Sequence, residues 1–201
     1  KDMATCNIPR PEHPRPQFER TDWINLNGEW SFEFDFGASG RHEGRKLFLS
    51  KGFERKIIVP FCPESKLSGV GYTDFITDMW YHRTITIPAE WSNRRAILHF
   101  GAVDYESEIY IDGVSIGTHF GGTSSFEYDI TRYITPGSSH DLVVRVHDET
   151  RGKNQPGGKQ CPDYKSRACH YTRTTGIWQT VWLEFTPKTY IKSVSYTHLT
   201  L

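Results

Sequence analysis

NGEWSFEFDF, residues 27–36, alternates without a break. In an extended chain successive side chains point to opposite faces. Trp30, Phe32, Phe34 and Phe36 therefore share one face, and Glu29, Ser31, Glu33 and Asp35 share the other. An aromatic face of this kind needs an apolar layer against it, while the polar face meets water. The stretch predicts a half-buried strand, and with it a sheet packed on a second layer.

The same period recurs outward from it. Residues 56–60 read as a short buried strand, and 79–87 as a longer one closed by Pro88. In Arg95–Phe100, Ala96, Leu98 and Phe100 point inward. EIYIDGVSIG places Asp112 and Gly113 between two apolar runs, the chemistry of a tight hairpin. Residues 126–130, 141–147 and 177–185 complete a series of about eight or nine strands with turn signals between them. Helical periodicity is nearly absent, so the expected class is an all-β antiparallel sandwich.

TTGIWQTVWLEF, residues 174–185, poses a separate question. One face carries Ile177, Gln179, Val181, Leu183 and Phe185; the other carries Trp178, Thr180, Trp182 and Glu184. The two tryptophans need a cover. The expectation is that the long 149–173 segment or a further domain supplies it; an outer layer of this same domain is the alternative. That segment, ETRGKNQPGGKQCPDYKSRACHYTR, contains two Tyr and two Cys, so it is expected to be an ordered loop that covers something. Residues 37–52, polar and basic, read as a loop or irregular hairpin.

The 201 residues suffice for one domain with a core. Lys plus Arg and Asp plus Glu number 24 each and are interleaved, so no basic surface for nucleic acid is expected. No apolar run is long enough to span a bilayer, so no membrane partner is expected. The opening KDMATCNIPR lacks a basic-then-apolar leader, so no signal peptide is read; the compartment stays open, with the cytoplasm favoured. Cys6, Cys62, Cys161 and Cys169 form no CxxC and no zinc spacing; free thiols are expected, and pairing of Cys161 with Cys169 stays open. No metal or cofactor is expected. Aromatics make up 14% of the chain, which suits a sandwich core or a carbohydrate-facing surface.

Eight stretches in order, LNGEWSFEF, VPFCPESKLSGVG, MWYHRTITIP, LHFGAVDYESEIYIDGVSIGTHFGG, FEYDIT, LVVRVHD, QPGGKQ and TGIWQTVWLE, resemble the N-terminal sugar-binding domain of glycoside hydrolase family 2. That family includes β-galactosidases, β-glucuronidases and β-mannosidases. The resemblance implies a jelly-roll (galactose-binding-like) antiparallel β-sandwich. It also implies a following immunoglobulin-like sandwich and a (β/α)8 barrel that carries the acid/base Glu and the nucleophile Glu of a retaining mechanism. The chain then divides into an N-terminal extension (1–24), the sugar-binding sandwich (25–192) and a tail (193–201). The closing KSVSYTHLTL looks like translated sequencing-adapter read-through, with a native strand leading onward as the alternative.

The implied function is a non-catalytic, sugar-binding and structural domain of an O-glycosyl hydrolase of the β-galactosidase or β-glucuronidase class. The β-glycoside is then met through the full-length enzyme. The alternative is a free-standing carbohydrate-binding module. Substrate-binding candidates follow from the matched motifs. GTHFGGTSSF contributes His119, Gly121 and Gly122, where the glycine pair permits close backbone approach; a plain turn is the other reading. Relatives commonly carry Tyr where Thr123 stands. Asp74 sits where some family galactosidases place an Asn that touches the sugar, and a carboxylate accepts hydroxyl hydrogens equally well; an ordinary turn Asp is the alternative. Asp148 with Gln155, Lys159 and Gln160 rims an active-site mouth or pins the loop; Gly157 stands where relatives often have Arg. GGK lacks the spacing of a phosphate-binding loop. Glu33, Asp35, Asp104, Glu106 and Glu108 alternate with apolar residues and read as solvent-facing, so no catalytic pair is assigned.

Overall fold

A computed structural model describes residues 8–152 and 154–194. Among them the strands, in chain order, are β1 (Trp23–Asn25), β2 (Gly28–Phe34), β3 (Arg55–Val59), β4 (Asp78–Thr86), β5 (Arg95–Phe100) and β6 (Val103–Asp104). There follow β7 (Glu106–Ile111), β8 (Val114–Phe120), β9 (Phe126–Asp129), β10 (Ser139–His147), β11 (Gly176–Ile177) and β12 (Val181–Thr186). One sheet runs β1-β12-β5-β9 and the other β3-β2-β4-β10-β7-β8, while β6 and β11 form a two-stranded ladder of their own. All strand pairs are antiparallel. The two large sheets face each other across one core. Trp30, Phe32, Tyr81, Leu142 and Val144 from one meet Leu98, Phe100, Leu183 and Phe185 from the other. This is the antiparallel sandwich that the alternation predicts, in the jelly-roll form that the resemblance implies.

Trp30 and Phe32 lie in that core as read from the sequence, but Phe36 does not. The strand ends at Phe34, and Phe36 is 57% exposed, stacked on Phe34 and resting near Tyr72. The opposite face of β2 is also drier than alternation predicts. Ser31 and Asp35 are buried, because the 37–53 segment folds over this side of the six-stranded sheet. Its Leu47, Phe48 and Phe53 pack on Trp80, Tyr110 and Val143, with Phe48 stacked on Tyr110 at 5.4 Å. Asp35 ties the cover down: it accepts hydrogen bonds from the Trp80 indole (3.1 Å), the Gly40 amide (2.7 Å) and Arg45 (2.7 Å). Burial pushes its carboxyl upward, but these donors outweigh burial and hold it below the usual range.

The 174–185 stretch is not one strand. It breaks at Gln179, between β11 and β12, and the break sends the two tryptophans to different places. Trp182 is 2% exposed on the outer face of the four-stranded sheet, stacked on His99 at 4.6 Å, with the Arg15 guanidinium 5.6 Å from its ring. Its cover is thus the chain's own 13–20 segment, not the 149–173 loop. Arg20 fastens that segment by pairing with Glu184 (2.8 Å) and donating to the Ile191 carbonyl (2.6 Å). Trp178 stays partly exposed at the end of the sandwich.

The hairpin between β7 and β8 turns at Asp112 and Gly113, both with positive φ, as the Asp-Gly pair predicts. Cys62, Cys161 and Cys169 are free thiols; Cys6 and most of the 193–201 tail lie outside the described residues. Among the described residues, no helix is long and apolar enough to cross a membrane.

Candidate functional site

The β6–β11 ladder closes one end of the sandwich, with Asp104 opposite Gly176. It brings together three carboxylates from distant parts of the chain. Asp148 follows the end of β10, Glu64 lies in the loop after β3, and Asp104 ends β6. All three are buried, Asp104 at 7% and Asp148 at 3% exposure.

Neutral donors orient them. Asp148 accepts from the Gln155 amide (2.6 Å) and the Thr175 hydroxyl (2.9 Å). Glu64 accepts from the Thr175 amide (3.2 Å) through one oxygen, and its other oxygen has no partner among the described residues. Asp104 Oδ2 accepts from Gln160 (2.8 Å), and no described residue bonds its Oδ1. Burial is the leading influence on each and pushes each carboxyl upward. Asp104 reaches about 7, with the Asp148 charge adding to the effect of burial and the Gln160 bond opposing it.

A cleft of about 510 Å³ opens over Asp104. The 149–173 segment forms one wall through Pro156, Gly157, Gln160 and Tyr171, beside Asp104. Gly121, Gly122 and Trp178 form the opposite wall, and Trp178 donates its indole hydrogen to the Gly122 carbonyl at 2.7 Å. Gly122 must lack a side chain, since a Cβ there would land inside the Asp104 carboxylate. Gly122→Ala is expected to cost about 1–3 kcal/mol, the usual range for overpacking. Urea unfolding followed by tryptophan fluorescence measures this; no loss would mean that the two groups do not touch.

The candidates from the sequence separate into two groups. Gly121, Gly122 and Gln160 line the cleft, while Asp148 and Gln155 are bonded to each other at the same end of the fold without lining it. Asp74, His119 and Lys159 do not line the cleft. Asp74 accepts from the Tyr164 hydroxyl (2.9 Å) on the flank, beside Phe75, which lies between the Arg151 and Arg173 guanidinium groups. His119 stacks on Phe126 at 4.0 Å and shares a hydrogen bond with Ser124, and burial lowers its pKa. Lys159 is exposed, and its backbone carbonyl accepts from Tyr171. Asp104 and Glu64 are the residues that sequence reading missed. Asp104 passed for a solvent-facing strand position. The glycine pair and the two glutamines of the loop, Gln155 and Gln160, were the available signals.

Among the described residues no group of three or more His, Cys, Asp or Glu side chains is arranged to hold a metal ion. The cleft offers the Asp104 carboxylate, the Gln160 amide and aromatic walls. That combination suits a ligand that carries hydroxyls, whose hydrogens Asp104 accepts.

Comparisons with known proteins point the same way. Residues 71–187 match the family described as "Glycosyl hydrolases family 2, sugar binding domain". The chain is 29% identical over 215 residues to the β-glucuronidase of Canis lupus familiaris, covering 92% of this chain and 32% of that protein. It is 25% identical over 182 residues to the β-galactosidase of Thermoanaerobacter pseudethanolicus, covering 87% of this chain and 21% of that protein. The fold superposes on a solved β-glucuronidase from Ruminococcus gnavus with a TM-score of 0.65 at 23% identity, over 85% of this chain and 30% of that one. The chain thus spans no more than about a third of the length of these proteins.

Proposed function

The chain belongs to glycoside hydrolase family 2, as a sugar-binding domain, and on that premise we propose that it serves a retaining β-glycosidase of the β-glucuronidase or β-galactosidase class as its non-catalytic N-terminal domain. The sandwich at 25–192 is the functional unit. An immunoglobulin-like domain and a (β/α)8 barrel downstream supply the catalytic carboxyls. The observation that carries the reading is Asp148: a buried carboxylate with no cation among its hydrogen-bond partners, held in one orientation by Gln155 and Thr175. A fixed carboxylate costs stability when buried, and it orients a sugar hydroxyl without reorganising. Gln160, Gly121 and Gly122 line the adjoining cleft over Asp104, while Asp74, His119 and Lys159 act at its periphery.

The test is Asp148→Asn in the longer enzyme. The expected result is a fall in kcat/KM of about 100-fold or more on aryl β-glycosides, with unchanged circular dichroism. Unchanged kcat/KM would reduce Asp148 to a structural residue and remove the basis of this reading. The cleft beside the partly exposed Trp178 favours one second reading, a carbohydrate-binding module that works without any catalytic partner. Millimolar or tighter sugar binding, together with an inactive longer protein, distinguishes it.

A further inference from the structure

Three hollows adjoin one another through shared wall residues. The cleft over Asp104 shares Trp178 with a second hollow of about 260 Å³. The second shares Arg10, Gln179 and Thr180 with a third of about 560 Å³, which extends to Arg15 and Trp182. We infer that they form one groove that binds a β-linked, gluco-configured oligosaccharide of two to three rings. Trp178 stacks under the middle ring, Asp104 with Gln160 takes hydroxyls at one end, and Arg10 takes ring or hydroxyl oxygens at the other.

Three observations carry this. Trp178 lies between the buried Ile177 and Val181 yet stays partly exposed, and it lines two of the hollows. Its hydrogen bond to Gly122 fixes the ring, so a stacking face is presented without ordering cost. Asp104 leaves Oδ1 without a described partner on a buried carboxylate that lines the groove. An acceptor oxygen on the groove wall without a described donor is available to a hydroxyl of a ligand. Arg10 is exposed and has no ion pair among the described residues, while its backbone carbonyl is pinned by Asn25 (2.8 Å) and Asn27 (3.5 Å). A guanidinium at a groove wall donates to oxygen acceptors.

The ligand chemistry follows from these groups together. Gluco-configured β-linked rings carry axial C–H bonds on both flat faces and hydroxyls around the edge. The faces match an indole, and the edges match carboxylate, amide and guanidinium. An apolar ligand offers Asp104 no donor, and a polyanion meets the Asp104 carboxylate. The inference rests on the proposed function only for the class of ligand and requires no hydrolysis.

The experiment titrates the 201-residue chain with methyl β-D-glucopyranoside, cellobiose and cellotriose, read by calorimetry and by the Trp178 indole resonance. The expected affinity rises at least about tenfold from one ring to three. Trp178→Ala is expected to weaken cellotriose about tenfold or more, in line with the loss of a stacking aromatic. Gly157→Phe is expected to do the same by filling the groove. A Cβ at 157 meets nothing nearer than the Thr150 carbonyl at 4.0 Å, so this variant retains the fold. Asp104→Asn is expected to weaken all three sugars about threefold or more, and Arg10→Ala to erase only the gain from the added rings. Absence of binding, absence of length dependence, or full affinity in Gly157→Phe overturns the groove. None of these touches the Asp148 kinetics in the longer enzyme, so the two proposals fail separately.

Discussion

Trp30→Ala lowers the free energy of unfolding by about 3–5 kcal/mol, the range for truncating a core tryptophan. Trp30 is 1% exposed, sets an edge against Tyr81 at 6.4 Å and lies under the Arg83 guanidinium at 5.9 Å. Its indole donates to the Leu26 carbonyl at 2.7 Å, but Arg83 donates to the same oxygen at 2.6 Å, so that acceptor keeps a partner after truncation. The loss is therefore mainly cavity and lost contact area rather than an orphaned hydrogen bond. Because β2 lies between β3 and β4, neighbouring strands hold the void open on both sides. Chemical denaturation by urea, with the slope unchanged, measures it. A loss below about 1 kcal/mol would show that the faces of β2 are reversed.

Asp104→Asn stabilises the domain at pH 8 and leaves it nearly unchanged at pH 4. The folded carboxyl titrates at about 7 because of burial first and the Asp148 charge second, against an ordinary value of 3.8. The native state therefore holds this proton more tightly than the unfolded chain. The resulting stabilisation is fully present below the unfolded value and is lost as pH rises through the folded one. Across that window the wild type loses on the order of 4 kcal/mol that an amide, having no proton to release, does not lose. The difference between variant and wild-type stability should climb from near zero at pH 4 to a plateau above pH 7. A flat difference curve would mean that water reaches the Asp104 carboxyl freely. A stability gain paired with weaker sugar binding is the signature of a group kept for function rather than folding.

The strands were legible because period-2 alternation reports directly on a flat, half-buried sheet. β5 and the hairpin at Asp112–Gly113 follow from residue pattern alone. Asp104 was not legible for the same reason. Alternation assigns it to a face of its own strand, whereas its cover comes from β11, Gly122 and Gln160, all later in the chain. The cover of Trp182 was hidden in a proline-containing segment, 13–20, that has no period to read. The apolar contacts of 37–53 depend on three side chains, Leu47, Phe48 and Phe53, scattered through polar sequence. Phe36 was misplaced because nothing in the alternation marks where β2 stops. Asp148, Gln155 and Gln160 came from motif resemblance; residue chemistry alone left the loop with two readings.

The most direct measurement is hydrolysis of p-nitrophenyl β-D-glucuronide and β-D-galactoside by this chain alone and by the longer protein that continues past it. The account predicts no turnover above background from the chain alone and turnover of at least one substrate by the longer protein, reduced about 100-fold or more when Asp148 is changed to Asn. Turnover by the 201-residue chain, or a longer protein inert toward every β-glycoside tried, contradicts it.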